Sequence, residues 1–237
     1  MMSSQFKSRS SDIEIMDDLE CSGEVVHQTL REIEFINRTL GGNSITIEAV
    51  QRLLSGKKIK SPEILDLGCG GGEMLALLKR RFQKVYPGIK LHGIDANRNI
   101  VQYAADHCAN NSIRFSTVNI FSEDFKKLTC DIATATLFCH HFTSDQLVSI
   151  LKQLQNQTRL GIVINDLHRH PLAYYSIKFL TQLFSKSAMV KYDAPLSVLR
   201  GFTRNEWRQI LEQAGISSYT LKWKWAFRWE LIIVSSA

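Results

Sequence analysis

The chain has 237 residues, a formal net charge of +6, 44% hydrophobic residues and 22% charged ones. That length supports a self-sufficient core, and the balance excludes a disordered chain, a collagen-like repeat and a disulfide scaffold. No run of about 18 apolar residues occurs, so no transmembrane helix is expected.

The five cysteines (Cys21, Cys69, Cys108, Cys130 and Cys139) form no C-x-x-C pair. Neither a metal site nor a disulfide framework is expected, and the pattern fits a reducing compartment. The polar start has no apolar signal region, so a cytoplasmic location is expected. The basic residues are dispersed, and the charge reads as a mildly basic surface rather than a nucleic-acid stripe.

Met1–Ser11 is polar and Ser-rich and predicts disorder. Val26, Leu30, Ile33, Ile36 and Leu40 recur at helical spacing, and Gly41-Gly42-Asn43 ends that helix. A second helix carries Ile47, Val50, Leu53 and Leu54 on one face. From Pro62 the pattern alternates. Strands are predicted at 64–67, 91–95, 113–118, 131–137 and 160–165, with helices at 73–82, 98–108 and 144–154 between them. Such alternation predicts a parallel sheet covered on both faces, with ligands at the carboxyl ends of its strands.

A further helix is predicted over 205–214. Tyr219, Leu221, Trp223, Trp225, Phe227, Trp229 and Leu231 then fall on alternate positions, with Lys222, Lys224, Arg228 and Glu230 among them. This predicts an antiparallel hairpin turning near Ala226, rings packed on one face and charges on the other. The alternative is a stacking platform for nucleic acid, which the strict alternation disfavours.

The first strand ends in Asp66-Leu67, followed by Gly68-Cys69-Gly70-Gly71-Gly72 and a helix. Glycines there allow positive φ and close approach of a ligand to the backbone. A dinucleotide loop needs a third glycine where this chain has Glu73, whose charge would also oppose a pyrophosphate.

Residues 64–72 resemble motif I of the class I S-adenosylmethionine-dependent methyltransferases. The resemblance continues in Gly93-Ile94-Asp95-Ala96, Asn119-Ile120-Phe121 and residues 130–142, and spans about 62–166. The small-molecule enzymes of ubiquinone and menaquinone biosynthesis are the most similar type. The resemblance implies a Rossmann-like α/β fold: a mostly parallel seven-stranded sheet with an antiparallel C-terminal strand and helices on both faces. It implies a disordered start over 1–11, a helical cap over 12–60 and a methyltransferase domain over 61–237, with a substrate lid at about 167–200.

S-adenosylmethionine is the implied cofactor. Its implied contacts are Asp66, Gly68, Cys69, Gly70, Asp95, Ala96, Asn119, Ile120 and Leu137. Asp95 would accept from the ribose hydroxyls, or else cap the next helix. Asn119 stands where the family has Asp, and keeps a carbonyl acceptor for the adenine amino group.

Methylating a hydroxyl needs a base. His140 and His141 follow the fourth strand, and His168 and His170 the fifth, with Asp166 available to orient a ring. His141 and His168 are the expected catalytic pair. Tyr174, Tyr175, Phe179 and Phe184 could line an apolar acceptor cavity, or the same helix could lie on a membrane surface. Arg200 could contact substrate or pair with Asp193.

The expected function is methyl transfer to a small molecule, by O-methylation of a phenolic, quinone-like or polyketide acceptor. C-methylation, an RNA or protein methyltransferase, and a non-catalytic cofactor-binding protein are the alternatives. No nucleic-acid partner and no membrane insertion are expected, which leaves room for peripheral contact. Oligomeric state is not legible.

Overall fold

Seven strands form one sheet: β1 (Glu63–Leu67), β2 (Lys90–Asp95), β3 (Arg114–Thr117), β4 (Cys130–Thr136), β5 (Thr158–Leu167), β6 (Tyr219–Lys224) and β7 (Arg228–Val234). The computed structural model describes residues 4–109 and 112–235. The strand order is β3-β2-β1-β4-β5-β7-β6. Strands β1 to β5 pair in parallel, and β7 runs antiparallel between β5 and β6. Strand order reverses between β1 and β4, so a crevice opens at their carboxyl ends.

The helices are α1 (Glu24–Thr39), α2 (Gly42–Leu54), α3 (Glu73–Phe82), α4 (Arg98–His107), α5 (Glu123–Lys126), α6 (Ser144–Gln157), α7 (Pro171–Phe184), α8 (Ala188–Arg200) and α9 (Arg204–Gln213). Successive strand side chains alternate between faces. Ile64, Val163 and Ile232 pack under α2 and α3, with Ala49, Leu53, Leu75 and Leu78. Leu65, Ile164 and Leu231 pack on the opposite face under α6 and α9, with Leu151 and Trp207. The inner strands thus divide their side chains between the two cores, which is why β1, β4 and β5 read as near-continuous apolar runs.

The C-terminal hairpin departs from the simple alternation. Strand β7 lies inside the sheet and both its faces are covered, so Arg228 and Glu230 are buried along with Trp229. Arg228 donates to Asn37 Oδ1 at 2.8 Å, and Glu230 accepts from Arg52. Strand β6 is the edge, and there Trp223 is exposed, as is Trp225 in the turn. The division into buried rings and solvated charges therefore fails. A strand's place in the sheet, not its period, decides which faces are wet.

The beginning of the chain also differs from expectation. Within Met1–Ser11, Met1–Ser3 lie outside the described residues. Phe6 is buried and packs edge-on against Tyr174 and Tyr175 at 5.7 and 6.3 Å. Arg9 donates to the carbonyls of Arg200, His140 and Phe142 at 2.7 to 2.9 Å. Two residues with long-range partners order a segment whose local composition is unstructured. Arg9→Ala leaves those carbonyls short of donors and is expected to lower unfolding free energy by about 2 kcal/mol in urea titrations; a disordered segment would show no change.

Candidate active site

The crevice begins at the glycine loop. Gly68 and Gly72 have φ of +62° and +80°. A Cβ on Gly68 would stand 2.1 Å from the Phe138 ring, so no other residue fits there. The Cys69 amide donates to the Ile94 carbonyl at 3.0 Å and ties the loop to β2. Gly72 precedes α3 and offers it no side-chain cap, so first-turn amides lack that usual partner.

Carboxylates surround this loop. Asp66 is buried at the end of β1 and accepts from Thr134 Oγ1 at 2.6 Å. Burial pushes its pKa up to about 7, against the Thr134 bond. Asp95, at the end of β2, accepts from the Asn97 amide at 3.0 Å, and burial raises its pKa also. The N-cap of α4 is Asn97, which takes the amides of Asn99 and Ile100. Asp95 is therefore not the helix cap. Asn119 follows β3 and caps the Phe121 amide at 2.9 Å. Ile120 is buried beside it. Leu137 follows β4 with φ of +55°, its amide bound to the Asn165 carbonyl.

Asp66, Gly68, Cys69, Gly70, Asp95, Ala96, Asn119, Ile120 and Leu137 all line one cavity of about 1260 Å³. That exceeds the roughly 300–1,000 Å³ of a single-ligand pocket.

A second group of side chains lines the same cavity: Glu14, Asp17, His140, His141 and Arg200. His140 Nδ1 lies 2.7 Å from Asp166 Oδ1, and both residues are buried. His141 Nδ1 lies 2.5 Å from Asp17 Oδ1. Arg200, at the end of α8, binds Asp17 Oδ2 at 2.5 Å and the carbonyls of His140 and His141 at 3.2 and 2.8 Å. Its Nη1 is 3.4 Å from Glu14 Oε1. Arg200 does not pair with Asp193, whose carboxylate accepts the amides of Ile15 and Met16.

These contacts divide the carboxyls electrostatically. Burial opposes ionisation of Asp17, but hydrogen bonds from His141 and Arg200 outweigh it and hold the pKa well below the usual range. Burial likewise opposes ionisation of Asp166, and the charge and hydrogen bond of His140 outweigh it. Glu14 goes the other way. Burial pushes it up to about 7 despite His141, Arg200 and the Ser197 hydroxyl. Its Oε1 has no hydrogen-bond partner and lies 3.7 Å from His140 Nε2.

Residues 64–161 match a family of methyltransferase domains. That stretch holds the glycine loop, Asp95, Asn119 and Leu137, so the similarity covers the loop end of the cavity. The chain's fold is shared with solved methyltransferases. Human N-acetylserotonin methyltransferase, solved with SAM, aligns at a TM-score of 0.63 and 19% identity, over 91% of this chain and 56% of that one. The present chain thus spans little more than half of that protein's length. The plantazolicin methyltransferase BpumL, solved with SAH, gives 0.66 and 19%, over 88% and 90%. The CurJ carbon methyltransferase gives 0.61 and 13%, over 82% and 54%. No curated protein shows a significant sequence match. Two of these neighbours thus carry S-adenosylmethionine or its demethylated product.

The matched stretch does not hold the whole cavity. Glu14 and Asp17 come from the segment before α1, and Arg200 from α8, all outside residues 64–161. The two carboxylates escape sequence reasoning because a short polar stretch has no periodicity; their partners lie up to 183 residues away.

His168 is not brought to His141. It is absent from the cavity wall. Trp223 Nε1 donates to its Nδ1 at 3.1 Å, its ring packs against Trp229, and burial lowers its pKa to about 4. Asp166 orients His140 instead. Tyr174, Tyr175, Phe179 and Phe184 are likewise off the cavity. Ala173, Ser176, Ile177 and Leu180 line it, because the helical turn sends the large rings to other faces of α7. Glu14, His140 and His141 also bring one oxygen and two ring nitrogens within 4.8 Å of one another, a spacing a metal ion could use. The positive charge that the structure does place beside Glu14 is Arg200.

The raised pKa of Glu14 gives a signed prediction. A carboxyl raised from 4.5 to about 7 holds its proton more tightly when folded. Its contribution to stability is full below the unfolded value and is lost as pH rises through the folded one. Glu14→Gln removes that contribution. Between about pH 4.5 and 8, the variant should gain about 1–3 kcal/mol relative to the native chain in denaturation experiments. A difference independent of pH would mean that Glu14 titrates normally.

Proposed function

We propose that the protein transfers the methyl group of S-adenosylmethionine to an oxygen of a small phenolic, quinone-like or polyketide-like acceptor. One observation carries the reading: a carboxylate-held histidine, His141 with Asp17, lines the same cavity as the glycine loop and Asp95.

The residues at the loop end fit the cofactor. A Cβ on Gly70 would meet only a Leu30 methyl, at 3.7 Å, so the backbone there is open to close approach. Asp95 is free of a capping duty and would accept from the ribose hydroxyls. Asn119 would accept from the adenine amino group, and Ile120 and Leu137 would wall the ring. Asp66, Cys69 and Ala96 would shape the loop and the methionine end. When bound, S-adenosylmethionine supplies an electrophilic methyl group.

The acceptor side supplies the proton chemistry. Asp17 is held ionised and can only accept, so the neutral His141 ring carries its proton on Nδ1 and keeps a lone pair on Nε2. That lone pair would take the acceptor's hydroxyl proton, and Asp17 would stabilise the imidazolium. A base beside the cavity suits an oxygen acceptor, whose hydroxyl proton must leave as the methyl group arrives. His140 is more deeply buried and would orient the turn. Methyltransferases named for N-acetylserotonin and plantazolicin share the fold, which supports a small-molecule acceptor.

The test is methyl transfer to a panel of phenols, hydroquinones and hydroxypyrones, with products identified by mass. His141→Ala is expected to lower kcat by about 10²- to 10⁴-fold with cofactor affinity retained. His168→Ala should leave kcat near the native value. A His141→Ala enzyme at native rate would remove the base assignment. Asp95→Ala is expected to weaken cofactor binding by about 10- to 100-fold in calorimetry, through the lost charge-assisted bonds.

A further inference from the structure

Helix α7 leaves a row of large apolar side chains in water. Leu172, Tyr175, Phe179 and Leu183 are 62%, 55%, 63% and 59% exposed. Their spacing of three and four residues puts them in one stripe along the helix. Single exposed apolar residues are ordinary, but a continuous stripe marks a contact surface. At about 100° per residue the next positions round the helix are Ser176 and Leu180. Both are exposed and both line the cavity. One edge of the stripe is therefore the rim of the cavity.

Charge indicates the partner. From Pro171 to Arg200 the only acidic residue is Asp193, against Lys178, Lys186, Lys191 and Arg200. Asp193 is buried on the amides of Ile15 and Met16, and Arg200 is held inside the site. Glu32 of α1 reaches the end of α7, where its carboxylate takes the amides of Lys186 and Ser187 and the Ser185 hydroxyl. Lys178 and Lys186 remain exposed. An apolar stripe flanked by lysines, its nearby acids already bonded, complements an anionic lipid surface: the apolar side chains enter the acyl boundary and the lysines meet the phosphates. Two copies of the stripe would instead bring like charges together.

We propose that α7 seats the protein on an anionic lipid bilayer, lying in the interface with its exposed stripe toward the acyl chains. The helix has 14 residues and is too short to span. Seated so, the rim at Ser176 and Leu180 adjoins the bilayer, and an apolar molecule passes from lipid to cavity without crossing water. Docking itself does not depend on the methyl-transfer reading.

The experiment is flotation of the full chain, without methyl donor or acceptor, on phosphatidylcholine vesicles with and without phosphatidylglycerol. Binding is expected on the anionic vesicles, weaker on the neutral ones, and reduced by added salt. Phe179→Asp, at a position off the cavity wall, should abolish it. Lys178→Glu should weaken it about fivefold, and carries the test alone if the first variant does not fold. Absence of binding, equal binding to both vesicle types, or binding unchanged in these variants overturns the proposal. So does a dimer that Phe179→Asp returns to monomer and that does not float with vesicles.

Discussion

The Arg200 guanidinium joins three parts of the chain, which the Arg9 guanidinium also links through backbone carbonyls. Arg200 grips Asp17 on the segment before α1 and the carbonyls of His140 and His141 after β4, and it stands at the end of α8. A guanidinium suits this task because its planar fork presents several donors in fixed directions. It is almost wholly buried, so its charge must be answered locally, and Asp17 and Glu14 answer it. Losing either side of such a buried arrangement costs several kcal/mol, because the remaining charge is stranded. This side of the cavity is thus held together by two arginines, Arg200 from α8 and Arg9 from the segment before α1.

The two ends of the cavity are built on different principles. The loop end is backbone: glycines, a turn tied to β2, and carboxyls at strand ends. It is set by the parallel sheet and its order reversal between β1 and β4. The acceptor end is side chain: two histidines, each held at Nδ1 by a carboxylate from a distant element. Burial raises Asp66 and Glu14, the latter despite Arg200, whereas hydrogen bonds to His141 and Arg200 lower Asp17 and the contact with His140 lowers Asp166. Neighbouring acids thereby hold different charge states in one cavity.

The sequence made the loop end legible because its signals are local. Gly68 and Gly70 sit one and three residues past the first predicted strand and Asp95 ends the second, and the sheet carries them to one place. The acceptor end was only half legible. His141 follows a strand, but its partner Asp17 lies in a stretch without periodicity. Asp166 was seen as an orienting group, yet which ring it holds depends on where the turn after β4 folds back. The rings of α7 misled for a related reason: apolar character says that a face meets something apolar, not which face meets the cavity. Trp223 and Glu230 show the same limit in the sheet, since alternation cannot tell an edge strand from an internal one.

The pairing of Asp17 with Arg200 spans 183 residues. During synthesis Asp17 leaves the ribosome 183 residues ahead of its partner. Until α8 has emerged, Asp17 and Glu14 have no buried cation to meet, and the segment that carries them is best solvated in water. Strand β5 is then also an open edge, rich in Ile162, Val163 and Ile164, because β7 comes later still. At that stage the chain has neither a closed cavity nor a finished sheet. The fold thus couples two distant segments: Asp17 and the end of α8 each carry a charge that is answered only when both are in place.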